Sequence, residues 1–180
     1  MDAARAQPAP KPSEPEPAEA RTGLVRRVVA FDVGDRRIGV ALSDPLGYTA
    51  QPLVTLYRTN HRAEMKSIAR LLRKHGVAEA VVGNPLHMSG DQSPQAAKAQ
   101  QFAEELRAEF GLTVHLWDER LSTTEAHRHL DAGGHAAGRE RKEIIDQVAA
   151  VLILQSYLDA RANLDARTAS DAPNLGSAEA

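Results

Sequence analysis

The chain predicts an α/β protein built on one mixed sheet with helices on both faces. Three observations carry this reading. Three β-rich runs joined by short turns come first, strand-like and helix-like stretches alternate after them, and a long apolar helix closes the ordered region. Arg27–Val33 is a β-branched run, and Arg36–Ser43 alternates again after the turn at Gly34–Asp35. Gln51–Tyr57 makes a third strand after the turn-rich Pro45–Leu46–Gly47, and the short links predict an antiparallel meander. His61–Lys74 reads as a helix with Met65, Ile68, Leu71 and Leu72 on one face and Gly76 as its stop. Ala80–Gly83 is a short buried strand, and Asn84–Gly90 is irregular. Ser93 and Pro94 supply a cap and first position for a helix to about Phe110. Leu112–Trp117 follows as a strand, and Ser122–Glu125 is a capping box opening a short helix to about Leu130. Gly133, Gly134 and Gly138 form a loop before the last helix, Arg139–Leu158.

Both ends differ from this body. Residues 1–22 hold five of the ten prolines and too little apolar surface to offset chain entropy, and residues 162–180 read the same way. Two disordered tails are therefore expected around one domain, 23–161. The tails also carry the excess acid. Without residues 1–20 and 161–180, 18 basic side chains stand against 17 acidic ones, although the whole chain has a net charge of −2. That balance permits a polyanionic substrate without demanding one. No apolar run approaches the roughly 20 residues of a membrane span, and the first residues lack the basic-then-apolar order of a secretory signal. The absence of cysteine excludes disulfides and thiolate metal sites, and makes a reducing cytoplasm the simplest home.

Acids stand at three places where charge needs a reason. Asp32 ends a strand of Val28, Val29, Ala30 and Phe31, where it is either a turn-forming aspartate or a ligand. Asp118 and Glu119 stand where Leu112–Trp117 ends, and a loop-closing pair with Arg120 is the structural alternative. Asp146 interrupts Ile144, Ile145 and Val148–Leu154, a helix apolar around nearly all its circumference and so expected to be buried. A carboxylate there requires a cation or several donors, and a salt bridge to a core arginine would also serve. Gathered together, the carboxylates suit two Mg²⁺ or Mn²⁺ ions about 4 Å apart, which activate water and stabilise the leaving oxygen of a phosphodiester. Asp32 would bridge the two ions, with Glu119 and Asp146 completing one side each.

Four blocks then resemble one family. They are FDVGDRRIGVALSD at 31–44, VVGNPLHMSG at 81–90, LWDERLSTTEA at 116–126 and RKEIIDQVAAVLILQSYL at 141–158. In order and spacing they resemble the YqgF (RuvX-like) family of pre-16S rRNA nucleases, over about residues 26–160. The resemblance implies a ribonuclease H-like fold, with a three-strand antiparallel meander plus two parallel strands. It implies catalytic and metal-binding roles for Asp32, Glu119 and Asp146, with Asp118 as an alternate to its neighbour. It implies 5′-end processing of a 16S rRNA precursor, with pre-ribosomal particles as partners, and branched DNA as the alternative substrate. Asp35 stands where the family often has Thr, His87 where Asn is common, and the Pro-rich N-terminus lies outside the family pattern.

Arg36, Arg37, Arg120, Arg139, Arg141 and Lys142 are candidates for holding substrate phosphates, with a solvated mixed-charge face as the alternative for the last three. His127 and His129, two apart on a helix, point to different faces and read as surface residues. Trp117, ending a buried strand, reads as core, and Gly34 and Gly39 as turn and close-packing glycines. No phosphate-loop or dinucleotide-binding glycine motif occurs. Two further function classes compete with the nuclease. One is an ATPase of the actin and sugar-kinase type, for which the chain lacks a second copy of the motif. The other is a non-catalytic binding module, which would leave the acidic Asp146 without a purpose.

Overall fold

The computed structural model describes residues 27–85, 93–118 and 139–170, with only the backbone described at 139–141 and 169–170. Five strands form a single sheet: β1 Arg27–Val33, β2 Arg37–Ser43, β3 Ala50–Tyr57, β4 Val77–Asn84 and β5 Thr113–Asp118. Their order across the sheet is β3-β2-β1-β4-β5. β1 pairs antiparallel with β2, and β2 with β3, giving the expected meander. β1 and β4, and then β4 and β5, pair in parallel. The three described helices are α1 His61–His75, α2 Pro94–Phe110 and α3 Arg139–Ser170.

The starts and stops of α1 and α2 have local causes. Asn60 accepts from the Ala63 N–H at 2.9 Å to cap α1, and Ser93 caps α2 by accepting from the Ala96 N–H at 2.9 Å. Both helices end on a left-handed glycine, Gly76 at φ +64° and Gly111 at φ +63°, a backbone conformation that favours glycine because it has no Cβ.

Strand alternation then divides the core in two. Val29, Phe31, Val33, Ile38, Val40, Leu42, Ala80 and Val82 face α1 and α2, where Phe31 meets Phe102 edge to face at 5.5 Å. Val28, Ala30, Ala41 and Val81 face the other way, against Ala150, Ile153, Leu154 and Leu158 of α3. Helices therefore cover both faces, as expected.

Two expectations need correction. α3 is not buried all round: Ile144 is 54% exposed, while Ile145, Val148, Val151 and Leu152 are only half-buried. One helix on a sheet buries one stripe, and these apolar residues lie at or beyond its border. The helix also does not stop near Leu158, so residues 162–170 of the expected C-terminal tail are helical. Residues 161–168 are exposed there, and Ala162, Leu164, Ala166 and the arginines support the helix through intrinsic propensity rather than packing. The expected N-terminal tail at 1–22, the short helix 122–130 and the glycine loop lie outside the described residues.

Candidate functional site

A row of directly paired residues crosses the sheet at the end of β1. Thr55 pairs with Gly39, Gly39 with Asp32, and Gly83 with Trp117. The Phe31–Val82 pair sets Gly83 beside Asp32, one step along both strands. Paired side chains share a face. Ala30, two residues before Asp32, packs beneath α3, so the half-buried Asp32 side chain is directed to the α3 face. Glycines at the flanking positions leave Asp32 the single side chain among the three central members of the row.

The glycine at 39 lets α3 descend onto the sheet. A Cβ there would lie 1.9 Å from the Asp146 carbonyl oxygen and 2.5 Å from its carbonyl carbon. The Asp146 backbone thus rests on the position next to Asp32. One turn earlier, the helix is fixed to β3: the Thr55 hydroxyl donates to the Glu143 carbonyl at 3.0 Å, and Gln147 Nε2 donates to Thr55 Oγ1 at 3.3 Å. Two carboxylates far apart in sequence are brought to one end of the sheet, and both offer the hard oxygen donors that Mg²⁺ and Mn²⁺ take.

Asp146 has a protein partner as well. Arg37, at the start of β2 and two residues before Gly39, donates from Nε to Asp146 Oδ2, with the two side chains 26% and 20% exposed. That hydrogen bond holds the Arg37 guanidinium charged and raises its pKa above the usual arginine value. The arginine partner that the sequence left open for Asp146 is therefore present, drawn from the hairpin beside Asp32.

The other acids fall differently. Asp118 follows Val114 and Leu116 on the side of β5 that meets the α1–α2 core, so alternation directs it away from the face shared by Trp117 and Asp32. Glu119 lies outside the described residues, as do Arg120, His87, His127 and His129. Among the described residues no group of three or more metal-ligating side chains occurs. Arg36 is exposed in the β1–β2 turn, where its carbonyl accepts from the Arg58 N–H at 3.0 Å, and Lys142 is exposed on α3. The side chains of Arg139 and Arg141 are outside the described set. Trp117, expected in the core, is half-buried and packs against the α3 side of it: its ring meets Tyr157 edge to face at 5.3 Å, and its Nε1–H donates to Ser156 at 3.2 Å.

One group that the sequence reading missed anchors the hairpin from the opposite face. Arg58 grips the buried Glu64 with Nε at 3.0 Å and Nη2 at 3.4 Å, and gives a third hydrogen bond, 3.2 Å, to the Gly34 carbonyl. Nothing in the local pattern singles out that arginine, because its pairing with Glu64 depends on how the chain turns from β3 into α1 and its contact with Gly34 on strand register. Beside it, Asp35 pairs with Lys98, which holds the Asp35 carboxyl below its usual range. Asp35, Arg58, Lys98, Gln101, Phe102 and Glu105 line a cavity of about 320 Å³ on this side of the sheet.

The strand order 3-2-1-4-5, with helices on both faces and an aspartate at the end of the central strand, defines a ribonuclease H-like α/β protein. The family model described as "RuvX: Holliday junction resolvase" matches residues 26–160, and the chain belongs to that family. A relative from Moorella thermoacetica, named "Putative pre-16S rRNA nuclease", is 50% identical over 74% of this chain and 94% of its own length. Relatives of the same name from Koribacter versatilis and Myxococcus xanthus are 45% and 46% identical, over 75% and 74% of this chain and 88% of their own lengths. Among solved structures, T. thermophilus RuvC in complex with a Holliday junction substrate aligns with a TM-score of 0.48 at 13% identity. That alignment covers 76% of this chain and 96% of the other.

Proposed function

We propose that this protein is a divalent-metal-dependent endonuclease that trims the 5′ end of a 16S rRNA precursor during ribosome assembly, working on pre-ribosomal particles in the cytoplasm. The observation that carries the reading is the seating of Asp146 on Gly39 beside Asp32. A helix that packs its backbone onto the sheet at the position next to an aspartate gathers carboxylates, a like-charge cost that Arg37 offsets at Asp146 and that a divalent ion would offset for both acids. The names of the relatives support the choice of rRNA.

Asp32, Glu119 and Asp146 would hold two Mg²⁺ or Mn²⁺ ions, which supply an activated water and charge stabilisation at the departing oxygen. Glu119 is preferred to Asp118 because Asp118 is directed to the opposite face of the sheet. The chain's own work is positional. Gly39 sets the depth of α3, Thr55 fixes the helix to β3, and Asp32 stays rigid because it sits in a paired strand. Of the proposed phosphate-binding residues, Arg36, Arg37, Arg120, Arg141 and Lys142, Arg37 is in contact with Asp146. Arg36 and Lys142 are exposed and open to a polyanion.

Side-by-side digestion of a precursor 16S rRNA 5′ fragment and a four-way DNA junction tests the reading. Mg²⁺-dependent cleavage of the rRNA by wild type, absent in D32N, is the expected result. Cleavage of the junction alone would move the function to branched DNA. Full activity of a folded D32N protein would refute the metal mechanism.

A further inference from the structure

The proposed metal site contains a cation of the protein's own. Arg37 and Asp146 are each about three-quarters covered, and their contact joins the start of β2 to the third turn of α3. The Asp146 backbone rests against Gly39, the strand partner of Asp32, so the helix holds the base of the Asp146 side chain beside that strand pair. A divalent ion held by Asp32 and Asp146 would compete with Arg37 for Asp146 Oδ2 and would be repelled by the guanidinium. That guanidinium is a planar fork of N–H donors, suited equally to carboxylate and phosphate oxygens. It also stands in the hairpin beside Asp32, next to the exposed Arg36.

We infer that Arg37 is a placeholder cation: it neutralises Asp146 in the metal-free protein and turns to a substrate phosphate when a divalent ion takes the carboxylate. This rests on the reading that Asp32 and Asp146 are metal ligands. One charge thereby serves two partners in succession, so metal and nucleic acid each favour the other's binding. Such coupling is reciprocal and typically amounts to about 5- to 150-fold in affinity.

The test uses the full chain and separates this inference from the metal reading. Mn²⁺ binding is measured by calorimetry without nucleic acid, for wild type, R37M, R37K and D146N. Anisotropy then gives the affinity for a cleavage-blocked RNA hairpin with and without Mn²⁺. Wild type should bind Mn²⁺ saturably and D146N much more weakly. R37M should bind it about fivefold tighter, because a partly covered ion pair no longer competes. R37K, which keeps the charge, should stay within about threefold of wild type. The gain in RNA affinity on adding Mn²⁺ should be smaller in R37M than in wild type, and the salt dependence of RNA binding with Mn²⁺ should weaken by about one counterion. R37Q repeats the measurement with a side chain that can still hydrogen-bond Asp146, so unfolding of R37M would not remove the test. Mn²⁺ affinity in R37M or R37Q equal to or below that of wild type overturns the placeholder role and leaves the metal site standing. Absence of saturable Mn²⁺ binding in wild type and variants alike overturns both.

Discussion

Replacing Gly39 by alanine adds one methyl group where the α3 backbone lies directly against the sheet. The new carbon would stand 1.9 Å from the Asp146 carbonyl oxygen and 3.3 Å from its Cα. A tolerable carbon–oxygen contact is about 3.3 Å, so α3 must retreat by roughly 1.4 Å at Asp146. The obstruction is helix backbone, which no side-chain rotation relieves. Overpacking of this kind destabilises by about 1–3 kcal/mol, and the retreat also loosens the Thr55–Glu143 bond, so a loss near the top of that range is expected in urea unfolding. Displacement of Asp146 by more than 1 Å from Asp32 should lower the rate of phosphodiester cleavage by about 100-fold. G76A is the matched control: Gly76 has φ +64° with no atom within 4 Å of the added carbon. It should lose about 1 kcal/mol from left-handed strain, with cleavage unchanged. A G39A protein within 0.5 kcal/mol of wild type (a margin typical of neutral surface changes) and cleaving at the wild-type rate would refute the placement of α3 on the sheet.

Two further predictions address the parts that hold the site from either side. R58A removes the partner of a carboxylate whose side chain is only 3% exposed, and should destabilise by about 3 kcal/mol in urea unfolding. Adding E64Q to that variant should restore more than half of the loss, and a single R58A loss under about 1 kcal/mol would contradict the assigned pair. Tyr157 donates to Glu79, and burial together with that hydrogen bond pushes its pKa up to about 12. The folded value lies above the unfolded one of about 10, so the contribution is complete below pH 10 and is lost as pH rises through 12. The stability advantage of wild type over Y157F should therefore shrink across that interval. A gap that stays constant would show that Tyr157 is not held in its neutral form.

The parts legible in the sequence are those with local causes. β1 at Arg27–Val33 and α2 from Ser93–Pro94 to Phe110 match their expected bounds, because a β-branched run and a cap with proline are complete signals in themselves. β4 is longer than its apolar center Ala80–Gly83, since Glu79 sits in the strand with Tyr157, Arg161 and His115 around it. Those partners come from β5 and α3, which no local window contains. The same limit applies to the candidate site. Gly39 could be read as a close-packing glycine, but the strand partner that sets it beside Asp32 is a matter of register. Asp146 was conspicuous among apolar neighbours, whereas its contact with Arg37 depends on where α3 crosses β2. The direction of Asp118 was available from period-two alternation counted from Val114 and Leu116, a signal hidden by the adjacent pair of acids.

A crystal structure of the protein soaked with Mn²⁺ tests the central claim most directly, using the anomalous signal to locate the metal. Manganese is expected between the Asp32 and Asp146 carboxylates, with Glu119 completing the site and Arg37 released from Asp146. Manganese bound elsewhere, with the Arg37–Asp146 pair intact and Asp32 free of metal at saturating concentration, would contradict it.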